Sequence, residues 1–99
     1  MPVRLSAKAD NDIEGILEYT LTRFGPEQAN SYYLSLKGCL DFLATNPAAG
    51  RERQELNFSV RSHLHREHNI FYRVQEDHIL IVRVLHQSMD VVRHLGRKL

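Results

Sequence analysis

The run Ile79-Leu80-Ile81-Val82-Arg83-Val84-Leu85 is apolar on both alternations of a strand except at Arg83. Successive side chains of a strand point to opposite faces, so such a run has to be covered from both sides and belongs inside a sheet. The rest of the chain must supply the neighbouring strands and the apolar cover. At 99 residues it can bury roughly two thirds of its unfolded surface, enough for one core, so residues 1–99 are taken as a single domain.

Upstream of that run the hydrophobic period changes. Val3-Arg4-Leu5 alternates as a short strand, and Ser6 is a plausible N-cap. Ile13, Ile16, Leu17, Leu21 and Phe24 fall on one helical stripe, with Asp12, Glu14 and Glu18 facing outward or flanking it. Gly25-Pro26 ends one helix and opens another, in which Ala29, Tyr32, Tyr33, Leu36, Leu40 and Leu43 repeat at helical spacing up to Asn46-Pro47. From Pro47 to Asn57 the chain is charged and aperiodic, and reads as a long loop. The period is then two: Phe58–Glu67 and Asn69–Gln75 alternate, and Glu76-Asp77 precedes the apolar run. These patterns predict an α+β fold with a helical hairpin over about 7–46, a three-stranded antiparallel meander over about 58–87 and a tail at 88–99, the helices on one sheet face.

Charge and composition narrow the function. Residues 1–50 carry four basic side chains against six acidic, and residues 51–99 nine against six, almost all of the excess being arginine. Arginine's planar fork suits carboxylates and phosphates. No apolar run reaches the roughly 20 residues that cross a bilayer, so no membrane partner is expected. The N-terminus lacks a secretory leader's apolar stretch, which points to the cytoplasm. Cys39, the single cysteine, falls on a helical pattern as a small core residue.

Candidate chemistry is sparse. His63, His65 and His68 crowd one strand, but without cysteine partners or a helical His-Glu-x-x-His they read as solvent-facing histidines, and no metal is expected. There is no nucleophile elbow and no phosphate-cradling glycine loop. An acid–base pair such as His86 with a nearby arginine or Asp90 could in principle cut RNA. Phe71 and Tyr72 among arginines would suit a nucleic-acid binder, but arginine stems lying over apolar neighbours explain them as well. Arg83 calls for a partner carboxylate, by default a structural ion pair.

Glu18-Tyr19-Thr20, Arg23-Phe24-Gly25, Gln28-Ala29, Tyr32, Pro47-Ala48-Ala49-Gly50-Arg51, Ile70-Phe71-Tyr72-Arg73-Val74 and Ile81–Asp90 follow one another over nearly the whole chain. In that order they resemble the ParE toxin family of the RelE/ParE superfamily. The resemblance implies a β-α-α-β-β-β fold and the toxin half of a type II toxin–antitoxin pair. It implies a dimeric ParD-like antitoxin whose C-terminal segment wraps the toxin, with operator DNA reached only through that antitoxin. It implies DNA gyrase as target, poisoned without catalysis and without a cofactor.

Under this resemblance the antitoxin-binding candidates are Ile13, Leu17, Leu21, Tyr32 and Leu36 beside the hairpin grooves, with Arg61, Arg73 and Arg83 for carboxylates. The target-contact candidates are His86, Gln87, Met89, Asp90 and Arg93. Ribosome-dependent mRNA interferases of the RelE type are the rival. In those enzymes basic residues start the penultimate strand and an arginine or tyrosine follows the last; here Asn69 and Gln87-Ser88 hold those places, and His86 alone matches.

Overall fold

Ser6 ties the helical half of the chain to the sheet. Its hydroxyl accepts from the Ala9 N–H at 3.0 Å and donates to the Val82 carbonyl at 2.8 Å. The residue that caps α1 (Ala7–Phe24) thereby also holds the last strand. Gly25 ends α1 at φ 94°, a conformation natural to glycine, and Pro26 opens α2 (Pro26–Thr45) where no N–H is needed. The expected hairpin is present. The computed structural model describes residues 1–57 and 59–97; Phe58, the expected start of a strand, and Lys98 and Leu99 of the tail lie outside the described residues.

The strands are β1 (Val3–Leu5), β2 (Arg51–Glu52), β3 (Arg61–His65), β4 (His68–Val74) and β5 (Ile79–His86), in the order β1-β5-β4-β3-β2. β1 runs parallel to β5, and the other neighbours are antiparallel. The three-stranded meander is therefore extended at both edges. β5 is interior, as its sequence requires, and Phe71 pairs with Arg83 while Tyr72 pairs with Ile81, leaving Val82 as an extra bulged residue.

Two cores cover the two faces. Ile70, Tyr72, Ile79, Ile81 and Val84 pack under Ala9 and Ile13 of α1 and Tyr32, Leu36, Leu40, Leu43 and Ala44 of α2. Phe71 and Leu85, on the opposite alternation, pack against Leu56, Val60 and Leu95. The second cover comes from segments expected to be irregular. α3 (Val91–Leu95) lies within the expected tail, with Val91 and Val92 half-buried beside Leu95. Backbone bonds fasten it: the Asn57 N–H donates to Gly96, and Leu56 bridges Arg97.

The 47–57 segment is also more ordered than its composition implied. It contains a 3-10 turn at Pro47–Ala49 and β2. The fully buried Tyr72 hydroxyl organises it, donating to the Pro47 carbonyl at 2.7 Å and accepting from the Gly50 N–H at 2.8 Å. Because β1 stops at Leu5, the far half of β5 has an unpaired edge, and α1 closes it. Asp12, expected to face outward or flank the apolar stripe, turns toward the sheet and accepts from the Val84 N–H at 2.9 Å.

Candidate functional site

The Gly25 end of the hairpin, where α1 turns into α2, the β3–β4 turn and the exit of β5 surround a groove of about 630 Å³. Ile16, Tyr19 and Phe24 of α1 and Met89 after β5 supply its apolar lining. Tyr19, Phe24 and Met89 are all exposed. Tyr32, His68 and His86 supply the polar floor, with Arg66 and Glu67 at the turn.

The floor is a connected set. The Tyr32 hydroxyl and His68 Nδ1 are 2.7 Å apart. Burial, reinforced by Glu67, pushes the Tyr32 pKa up to about 12; Nδ1 is the one hydrogen-bond partner of the hydroxyl among the described residues, and with the phenol donating to it the His68 ring carries its proton on Nε2. Burial also pulls the His68 pKa below its ordinary value, opposed by Glu67 and aided by His86. The His68 and His86 rings meet edge to face with centroids 5.5 Å apart. His86 Nδ1 accepts from the Ser88 N–H at 3.1 Å and lies 2.7 Å from its hydroxyl, which leaves its proton on Nε2 as well. The groove thus offers imidazole N–H donors on His68 and His86 and one guanidinium amid apolar walls. Such a surface suits an apolar segment carrying a hydrogen-bond acceptor.

The remaining histidines are not the solvent-facing set expected from the strand. His65 Nε2 lies 2.8 Å from the Ser35 hydroxyl, and its pKa is lowered by burial first and by Arg66 second. His63 packs its ring against Phe42. Both lie beneath α2, because β3 places residues 61, 63 and 65 on the hairpin side.

Of the residues singled out in the sequence, Tyr32, His86 and Met89 meet in the groove. Ile13 and Leu36 are buried in the first core and line a second groove, between the two helices and β1; Tyr32, equally buried, lines the floor of the first. Leu17 is half-buried against that core and Leu21 is exposed. Arg61 donates to the Gly50 carbonyl at 2.6 Å and pairs with Glu52 across the β2–β3 edge. Arg73 is partly exposed on β4. Arg83 is committed to Asp12. Gln87 donates its N–H to the Glu67 carbonyl, fixing the β5 exit to the β3–β4 turn. Asp90 precedes α3 and Arg93 is exposed on it, neither of them lining the groove. Cys39 is half-buried against the first core, and burial raises its thiol pKa.

Sequence patterns missed Ile16, Tyr19, Phe24, Arg66, Glu67 and His68 as groove residues. The available signal was the helical stripe itself, which continues to the exposed Phe24. No helix among the described residues is long and apolar enough to cross a membrane.

The fold and the groove define a small single-sheet α+β protein with an open cleft at the junction of hairpin and sheet. Residues 3–91 match the family described as the ParE toxin of the type II toxin–antitoxin system parDE. The chain is 38% identical over 95 residues to Toxin ParE1 of Caulobacter vibrioides, covering 96% of this chain and 98% of that protein. It is 41% identical over 92 residues to Toxin ParE1 of Mycobacterium tuberculosis, covering 92% and 94% respectively. A solved chain from the chromosomal ParDE TA system of P. aeruginosa superimposes with a TM-score of 0.74 at 24% identity, covering 87% of this chain and 95% of that one. That likeness shows the fold. The chain belongs to the ParE toxin family of type II toxin–antitoxin systems.

Proposed function

We propose that this toxin acts in the cytoplasm by binding DNA gyrase and holding its cleaved DNA complex, without catalysis, and that a ParD-like antitoxin neutralises it by direct contact. The antitoxin's C-terminal segment would lay an amphipathic helix in the hairpin–sheet groove, each toxin being held by a dimeric antitoxin that carries the contact with operator DNA. The observation that carries this reading, beside family membership, is the groove itself. Tyr19, Phe24 and Met89 stand exposed around it, and large exposed apolar side chains clustered at a cleft are the usual mark of a missing partner.

On this reading the antitoxin surface is centred on other residues than the sequence candidates. Leu21 and the half-buried Leu17 remain available on α1 and Ile13 and Leu36 line a second groove beside β1, whereas Arg83 is occupied by Asp12. Target contact is assigned to the β5 exit and α3, where His86, Gln87, Met89, Asp90 and the exposed Arg93 follow one another on the surface. His86 and Glu67 facing one groove favour the RelE-type mRNA interferase as the second reading, since a ring donor and a carboxylate could share proton transfer.

Two measurements decide. The chain should co-purify with the small protein encoded beside it, and failure to do so would count against the antitoxin assignment. Purified toxin should inhibit gyrase supercoiling and accumulate cleaved plasmid. Cuts in ribosome-bound mRNA with gyrase unaffected would establish the interferase instead.

A further inference from the structure

Arg66 is the one non-glycine residue among those described with a positive φ, 55°. It begins the two-residue turn between the paired His65 and His68, a position where glycine, asparagine or aspartate adopts the left-handed conformation at less cost. A long cationic side chain held there points to a use beyond the turn. Its guanidinium lies over the Tyr32 ring, 5.8 Å from the centroid, and lines the groove. No hydrogen bond or ion pair commits that head among the described residues, whereas Arg83 is neutralised by Asp12 and Arg61 is held by backbone carbonyls and Glu52.

The charged groups around the groove are Arg66, Glu67 and the Asp12 that Arg83 already satisfies. Beside Arg66 the floor adds the two histidines whose Nδ1 atoms are taken by Tyr32 and Ser88. A guanidinium with imidazole N–H donors is the chemistry that recognises a carboxylate. We propose that Arg66, His68 and His86 form a subsite for one acidic side chain of the antitoxin segment, flanked on that segment by apolar residues packing on Ile16, Phe24 and Met89. Glu67 at the same rim disfavours an acidic tract, so the subsite takes a single carboxylate. The inference rests on the groove being the antitoxin's seat.

The test uses the full chain and the protein encoded by the neighbouring gene, with affinity read by calorimetry and melting temperature read separately. Arg66→Asn and Arg66→Gly both suit the left-handed turn. The free variants should melt at or above the wild-type temperature, while affinity falls on the order of 10-fold or more and its salt dependence weakens. Replacing the partner's C-terminal acids by amides one at a time should find one whose loss matches that of Arg66→Asn and is not additive with it. Wild-type affinity in Arg66→Asn, or additivity with every acid, overturns the subsite while leaving the docking assignment standing. If the neighbour's protein does not bind the wild-type chain, the docking assignment fails first and the subsite with it.

Discussion

Arg83 and Asp12, 71 residues apart in sequence, close a two-pronged ion pair: Nε reaches Oδ2 at 2.8 Å and Nη2 reaches Oδ1 at 2.9 Å. The same carboxylate accepts the Val84 N–H where β1 no longer reaches β5. Both side chains are about seven-eighths covered, at 14% and 13% exposure. Asp12→Ala would leave a guanidinium and a strand N–H without acceptors and should cost about 2–4 kcal/mol. Asp12→Asn, which keeps an oxygen for Val84, should cost less. Urea unfolding reads both, and a loss under about 1 kcal/mol for Asp12→Ala would mean that solvent already satisfies Arg83.

The pair also shows what the sequence could and could not convey. A lone arginine in an apolar strand announces that it has a partner, but the partner's identity depends on where β1 ends, which periodicity does not encode. Hairpin, interior strand and antiparallel neighbours were legible because each repeats a period over several residues. α3 was not, since five residues contain no full repeat of a helical stripe. β2 was hidden for a similar reason, as two residues paired to Arg61 and Ser62 have no pattern of their own. The groove was only partly legible: Tyr32, His86 and Met89 stood out by resemblance, whereas Arg66 and His68 matter through a turn conformation and a tyrosine 36 residues away.

Gly50 and Tyr72 should be inseparable. A Cβ at Gly50 would meet the Tyr72 hydroxyl, with the ring carbons Cε1 and Cζ at 2.7 and 2.8 Å. The ring cannot retreat from a core in which it is fully buried. Gly50→Ala should therefore destabilise by about 1–3 kcal/mol. Tyr72→Phe, which leaves the Gly50 N–H and the Pro47 carbonyl unpaired, should cost a comparable ~1–3 kcal/mol. In the Tyr72→Phe background the alanine should cost less than it does alone, because the closest clashing atom is gone. Equal costs in both backgrounds would contradict this geometry.

Acidification should weaken the fold through His68 before the carboxylates titrate. Its folded pKa is held below the ordinary 6.5 by burial, so the unfolded chain binds a proton more readily. The stability it contributes is full above pH 6.5 and is lost as pH falls from 6.5 through the depressed folded value. His65 titrates in the same sense, again by burial first, so His68→Gln should flatten the stability slope between about pH 6.5 and 5 without abolishing it. Denaturant midpoints across that range test the sign; a slope unchanged in His68→Gln would remove His68 from the account.

α3 separates structural from contact residues in the segment after β5. Leu95 is buried against Leu56, Val60, Phe71 and Leu85, so Leu95→Ala opens the second core and should cost about 2–3 kcal/mol. Arg93, one helical position from Val92, is exposed, and Arg93→Glu should change stability by less than about 0.5 kcal/mol. If the β5 exit and α3 contact gyrase, Arg93→Glu should nevertheless reduce supercoiling inhibition at unchanged melting temperature. Leu95→Ala should reduce it only in proportion to the unfolded fraction. Because removing residues from Val91 onward would uncover Phe71 and Leu85, loss of toxicity in such a truncation is uninformative about contact. The paired substitutions are the cleaner measurement: full inhibition by a folded Arg93→Glu toxin would take Arg93 out of the target surface.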